Sequence, residues 1–248
     1  MKELEIARNA RVLVVAPHPD DESIGCGGLL LKYGAQIDIL VITDGSKGLA
    51  QDKPMDPAEL VRIRKEELLQ AAGYAKVHDV FFLDIPDRAV WLNIRAVLSF
   101  DITAYQYIFV PNRFETHIDH KYLVYAFSKM IRRQKHEIRL YEYEVWSPIP
   151  APDFYLDISS DFNKKIEMIS MYNSQLECYD YRSMAEGIGR YRGAQNHSQY
   201  AEVYRNAQQG KGRKTADLIP TQIKLALKRL IFFCKALRTR DRQRRTLS

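Results

Sequence analysis

Two short stretches of the sequence hold most of what could do chemistry. His18, Asp20 and Asp21 fall within Pro17-His18-Pro19-Asp20-Asp21-Glu22, and His117, Asp119 and His120 within His117-Ile118-Asp119-His120. Imidazole nitrogen and carboxylate oxygen are the donors that divalent transition metals accept. His18 and Asp21 can give one nitrogen and one oxygen to a single ion, with Asp20 between them as a base toward water. His120 can complete a His-Asp-His set that leaves positions open for water and substrate, as a catalytic site requires. His117, sharing a helical face with His120, then stays free to hydrogen-bond a carbonyl oxygen or protonate a leaving amine, and is expected to be charged. Each stretch alone has a plainer role: Asp20 and Asp21 as helix caps, the two histidines as surface groups. Together they supply complementary parts of one hydrolytic site.

Both stretches follow a short apolar run and precede a helical pattern. Strands are expected at Val12–Ala16, Ile37–Thr43, Val77–Leu83 and Tyr107–Pro111, and helices near Glu22–Tyr33, Pro57–Ala72, Arg88–Phe100 and Asp119–Arg133. This alternation predicts an α/β fold, a Rossmann-like, mostly parallel sheet with helices on both faces. Pockets in such sheets open at the carboxyl ends of strands, where both stretches stand. Further strands are expected at Arg139–Val145 and Phe154–Ile158, and helical spacing runs through Asp161–Asn173. Gly25, Gly27 and Gly28 raise the rival of a nucleotide-binding loop, but they follow the carboxylates inside the expected helix, and Asp20-Asp21 would repel a pyrophosphate.

With 248 residues and 46% apolar content, the chain can bury one sizeable core. One catalytic domain is expected over 1–209, followed by a basic amphipathic extension over 210–248. That extension holds twelve Lys or Arg against Asp217 and Asp241, so the net +6 of the chain divides into +10 there and −4 before it. The distribution argues against a nucleic-acid binder over the whole chain, and the tail lacks a recognition module. Its apolar residues Ile223, Leu227, Leu230, Ile231 and Leu237 fit a helix lying on an anionic membrane, or one docked on its own domain or a second subunit. Three cysteines without CxxC spacing and no secretory segment point to the cytoplasm, or to the inner face of a membrane if the tail binds one. No feature counts subunits. Tyr179, Tyr181 and Tyr191 can shape a cleft or pack in the core.

At these motifs the sequence resembles the LmbE-like, or PIG-L, family of zinc-dependent deacetylases acting on N-acetylglucosamine conjugates, over roughly Arg11 to Tyr204. The resemblance implies His18, Asp21 and His120 as metal ligands, Asp20 as general base and His117 as an assisting residue at the substrate. Either Asp20 or His117 would protonate the leaving amine. Ile118 departs from the proline usual in the second motif. Thr43-Asp44-Gly45, Arg64-Lys65-Glu66-Glu67 and Phe82-Leu83-Asp84-Ile85-Pro86-Asp87 are similar to segments lining the family's pocket, and Tyr191-Arg192-Gly193 and Tyr200-Ala201-Glu202 to recurrent ones. Arg64 is carried over as a sugar-hydroxyl contact, against a surface ion pair as the alternative, and Asp87 as a substrate contact. Asp119 either orients a neighbouring imidazole or caps its helix. The implied cofactor is zinc, with Fe(II), Co(II) or Mn(II) also compatible, and the implied substrate an N-acetylated amino sugar, lipid-linked if the tail meets membrane. The alternative is a metal-binding interaction protein that kept the fold without activity.

Overall fold

The computed structural model describes residues 1–48 and 55–208. The expected extension over 210–248, with its membrane reading, lies outside the described residues. Eight strands form one sheet: β1 (Lys2–Glu3), β2 (Val12–Ala16), β3 (Ile37–Thr43), β4 (Asp79–Ile85), β5 (Tyr107–Pro111), β6 (Arg139–Tyr143), β7 (Phe154–Asp157) and β8 (Ala201–Asn206). Their order is β1-β7-β8-β6-β5-β2-β3-β4, and β8 runs antiparallel to both neighbours while every other pair is parallel. The helices are α1 (Asp21–Tyr33), α2 (Pro57–Tyr74), α3 (Ile94–Ser99), α4 (Ile118–Ile131), α5 (Phe162–Ile169), α6 (Asn173–Leu176) and α7 (Tyr181–Ala194).

Pleat alternation divides β2 between two cores. Val12, Val14 and Ala16 pack on one face with Leu29 and Leu30 of α1, Leu68 of α2 and Phe162 of α5. Leu13 and Val15 pack on the other with Val97 of α3 and Leu123 and Phe127 of α4. Both faces are thus covered by helices, which is why β2, β3 and β5 read as continuous apolar runs. α1 lies so close to the sheet that a Cβ on Gly25 would fall 2.3 Å from Tyr143, and one on Gly28 2.2 Å from Ile158. These glycines serve helix packing, which removes the nucleotide-loop rival.

Several expected elements need correction. The helix expected from Arg88 begins only at Ile94, because Arg88 has φ 66° and the N–H groups of Arg88 and Val90 donate to Asp119 rather than into a helix. β4 lies two residues later than expected, since His78 N–H donates to the carbonyls of Gly34 and Ile37 before the strand begins. The helix from Asp161 stops at Ile169 and resumes at Asn173, where Ser174 bonds Glu67 of α2 through both its N–H and its hydroxyl. β1, α7 and β8 were not expected as elements.

Candidate active site

β2 and β5 are neighbours, yet the chain continues from β2 toward β3 and β4 on one side and from β5 toward β6 on the other. A crevice opens where the order reverses. The Pro17–Asp20 loop enters it from β2, and the Asn112–His117 loop from β5. The N-termini of α1 and α4 face it too, favouring the carboxylates of Asp21 and Asp119 in their first turns.

Asp20 has φ 137° and ψ −33°, a backbone that costs a residue other than glycine about 1–3 kcal/mol. Its surroundings hold it there. The Asp20 N–H donates to Glu22 Oε2 at 3.1 Å, and its carbonyl accepts from Ser23 and Ile24 at 3.0 Å. Glu22 is braced in turn by the hydroxyls of Ser23, at 2.7 Å, and Tyr172. The Asp20 side chain makes no capping hydrogen bond, so the helix-cap role does not apply to it. Its Oδ2 instead accepts from Arg64 Nη2 at 3.0 Å.

His18 Nδ1 and His120 Nε2 each lie 3.2 Å from Asp21 Oδ2, and 3.3 Å from each other. Three donors 2.0–2.1 Å from one tetrahedral centre would stand roughly 3.3–3.4 Å apart, so this triangle fits a single zinc-sized ion. A wider set also gathers around His18, bringing donor atoms of Asp87, His117 and Asp119 within 4.8 Å of one another. Those two carboxylates, however, face the other nitrogen: His18 Nε2 is 3.3 Å from Asp87 Oδ1 and 3.5 Å from Asp119 Oδ2. A proton on Nε2 directed at them leaves the Nδ1 lone pair for a metal. Of these two sets, the tight triangle is the one that leaves His18 Nε2 to its carboxylate partners, and His117 also groups with His18 and His120, donor atoms within 4.8 Å.

The electrostatics agree with one shared charge centre. Burial alone would lower His18 and His120, but Asp119, Asp21 and Asp87 around His18, and Asp21 beside His120, outweigh it and raise both. Burial would raise Asp21, yet His120 and His18 hold it well below the carboxylate range. Asp20 is pushed up to about 7, burial outweighing Arg64. His117 is pushed down by burial and then by His18 and His120. This corrects the expectation of a charged His117: the neutral ring accepts from Asp119 N–H through Nδ1 at 3.3 Å, leaving Nε2 to carry the proton.

Each remaining expected residue has a definite place. Asp119 is fully buried, accepts the Arg88 and Val90 N–H groups and stands at His18 Nε2; it joins the turn after β4 to the imidazole. Asp87 borders the cavity, but its Oδ2 accepts Lys47 N–H at 3.1 Å while its Oδ1 faces His18. Arg64, expected as a sugar contact or a surface pair, is buried. Its guanidinium donates to the carbonyls of Gly45 at 3.0 Å and Pro19 at 2.7 Å as well as to Asp20. Lys65 instead pairs outward with Asp84 at 2.6 Å. Arg192 and Glu202 are scaffold residues: Arg192 binds Glu144 and the Ile149 carbonyl, and Glu202 accepts from Lys165 and from the N–H groups of Gly28 and Leu29.

Glu115 and Trp146 were missed. Glu115 is buried 3.5 Å from His120 Nδ1, and its Oε1 accepts the N–H groups of Val145, Trp146 and Ser147 at 3.1–3.2 Å. A carboxylate two residues before His117 was the available signal. Trp146, with Tyr179 and Tyr181, borders the cavity of about 480 Å³ that also contains His18, Asp20, Asp21, Arg64 and His117. Tyr191 does not line it.

A family model described as PIG-L: GlcNAc-PI de-N-acetylase matches residues 13–131. The diacetylchitobiose deacetylase of Thermococcus kodakarensis is 38% identical over 80 residues, covering 31% of this chain but only 30% of that protein's length. A probable N-acetyl-alpha-D-glucosaminyl L-malate deacetylase 2 of Bacillus cereus is 27% identical over 185 residues, 67% of this chain and 84% of that protein. Among solved structures, the N,N'-diacetylchitobiose deacetylase of Pyrococcus horikoshii superposes with a TM-score of 0.67 at 21% identity, over 79% of this chain and 83% of that one. The 4-carboxy-2-hydroxymuconate hydratase of Pseudomonas putida KT2440 does so with 0.62 at 20% identity, over 79% and 95%. Likeness at these identities establishes the fold. Because that fold also serves a hydratase, the reaction has to be argued from the side chains.

Proposed function

We propose that this chain, which carries a PIG-L family domain, is a metal-dependent hydrolase that removes the acetyl group from the nitrogen of an amino-sugar conjugate. The observation carrying this reading is the triangle of His18 Nδ1, Asp21 Oδ2 and His120 Nε2, of which His18 and Asp21 line one cavity with the buried Asp20. Zinc is the ion we assign to the triangle on its donor types and spacing, and it would supply Lewis-acid polarisation of the amide carbonyl and a more acidic water. Asp20 takes the proton from the attacking water, and Arg64 holds the Asp20 carboxylate in place. The neutral His117 presents Nε2–H to the oxygen that gains negative charge at the amide carbon. The proton reaching the departing amine is the one Asp20 took from the water, because a neutral His117 could give its Nε2 proton only by becoming an imidazolate. Asp87 and Asp119 keep the His18 ring in the tautomer that frees Nδ1.

The substrate assignment rests on the curated relatives named for N-acetylated sugar conjugates. No helix among the described residues is long and apolar enough to cross a membrane. A domain over 1–209, a cytoplasmic location and membrane contact through the basic extension belong to the same proposal. The deciding experiment measures acetate and amine release from N-acetylated sugars by metal-analysed wild-type and Asp20→Asn protein. Release that requires both the metal and Asp20 supports the hydrolase. A metal-loaded Asp20→Asn protein turning over at the wild-type rate overturns it.

A further inference from the structure

Asp20 stands at the N-cap of α1, where an aspartate ordinarily turns its carboxylate onto the N–H groups of the first helical turn. No such contact forms here. Three buried groups that the proposed reaction does not use, Glu22, Ser23 and Tyr172, converge on the Asp20 backbone instead. Glu22 Oε2 accepts the Asp20 N–H at 3.1 Å, while Oε1 accepts the Ser23 hydroxyl at 2.7 Å and the Tyr172 phenol. Burial, and then the Glu22 charge, push the Tyr172 phenol well up, so it remains the donor. The Asp20 carbonyl is committed to α1 through the N–H groups of Ser23 and Ile24. With N–H and carbonyl both held, the direction of the Cα–Cβ bond is set, and the carboxylate meets Arg64 beside the cavity rather than the end of α1. Tyr172 reaches this corner from 150 residues away. Its own carbonyl accepts the N–H groups of Gln175 at 3.0 Å and Leu176 at 3.1 Å in α6, and Gln175 lines the same cavity.

We propose that Glu22 and Tyr172 are positioning residues: they hold Asp20 in the positive-φ backbone that aims its carboxylate at the attacking water, and keep it from collapsing into an ordinary helix cap. This rests on the reading of Asp20 as the base. A residue other than glycine leaves that backbone region unless its surroundings hold it there. Arg64 cannot supply the hold alone, because it binds the carboxylate and leaves the Asp20 N–H free to turn. Glu22 anchors the N–H, and Tyr172 ties that anchor to α6, so the base and one wall of the cavity are set by a single chain of contacts.

Glu22→Met removes the acceptor while filling its space, whereas Glu22→Gln keeps an amide oxygen that can take the Asp20 N–H. Glu22→Met is expected to lower kcat by about 100-fold, the loss that a misplaced general base brings, with KM and bound metal within about twofold of wild type. Glu22→Gln should lose less than about tenfold, and Tyr172→Phe about tenfold, the loss of one hydrogen bond to a carboxylate. A crystal structure of the metal-loaded Glu22→Met protein should show Asp20 out of the positive-φ region, its carboxylate on an N–H of the first turn of α1. Asp20 unmoved in that structure, or equal losses of kcat in Glu22→Met and Glu22→Gln, would overturn the proposal. So would a parallel loss of metal, which would place the effect of Glu22 on Asp21. If Glu22→Met does not fold, Tyr172→Phe decides, and a kcat within about twofold of wild type there rejects the positioning role. Metal-loaded wild-type protein that releases no acetate would sink the deacetylase reading, while the turn of Asp20 in the crystal would still decide what Glu22 and Tyr172 hold.

Discussion

Replacing Asp87 with asparagine separates two roles that the sequence alone could not distinguish, a contact to substrate and a brace for His18. The wild-type carboxylate uses Oδ2 to accept Lys47 N–H at 3.1 Å and Oδ1 to face His18 Nε2 at 3.3 Å. An asparagine has one acceptor and one donor in those places. If its oxygen stays on Lys47, its NH2 group meets the Nε2 proton. The Nε2 proton is then held by Asp119 Oδ2 alone, at 3.5 Å, or the imidazole turns away. If the amide flips, its NH2 group meets Lys47 N–H and the 44–48 turn gives way. Either way the preorganisation of His18 falls, and partners of metal-ligating histidines are worth roughly 10–100-fold in metal affinity. The expected weakening is about 1.4–2.7 kcal/mol, read as a shift in zinc Kd against a competing chelator. Asp87 is a better probe than Asp119, whose replacement would also strand the Arg88 and Val90 N–H groups. A zinc Kd within twofold of wild type together with a raised KM would refute the bracing role and restore Asp87 as a substrate contact.

Three further outcomes follow from the same contacts. Arg64→Met leaves Asp20 buried without its counter-ion and the Pro19 carbonyl without the Arg64 donor, so denaturant unfolding of metal-free protein should show a loss of roughly 3–5 kcal/mol; a change under about 1 kcal/mol would mean that Arg64 does not hold this corner together. His117→Gln should lower kcat by roughly 10²–10³ with bound metal unchanged, and a parallel loss of metal would reassign His117 as a ligand. Removing metal with dipicolinate should abolish acetate release and lower Tm, and zinc at about 100 times its Kd should return roughly 2.7 kcal/mol of stability. A Tm insensitive to zinc would argue against an ion at the triangle.

The parts of the fold legible in the sequence were those whose burial is simplest. β2, β3 and β5 are covered on both faces, so hydrophobicity alone bounds them. β8 hides because Glu202, a buried strand residue, is neutralised from outside its own segment by Lys165. α3 was overextended because Asp119, 31 residues from Arg88, takes the N–H group that a helix at Arg88 would have needed. Local pattern cannot register a partner that far away.

The same division runs through the site. The donor triangle was readable because His18 and Asp21 are neighbours in sequence and both motifs end strands that pair side by side. What a donor's other atoms touch was not readable. Arg64 lies 44 residues from the carboxylate it pairs with, and that pairing, not its charge alone, separates a brace for the base from a sugar contact. Glu115 makes the point more strongly, because it reaches His120 in one direction and the backbone of Trp146, 31 residues on, in the other. Any substitution that moves Glu115 therefore has to disturb the donor triangle and the 145–147 backbone together. Metal affinity and the shape of the cavity wall at 145–147 are expected to vary jointly there, whereas Asp87 acts through His18 and the 44–48 turn.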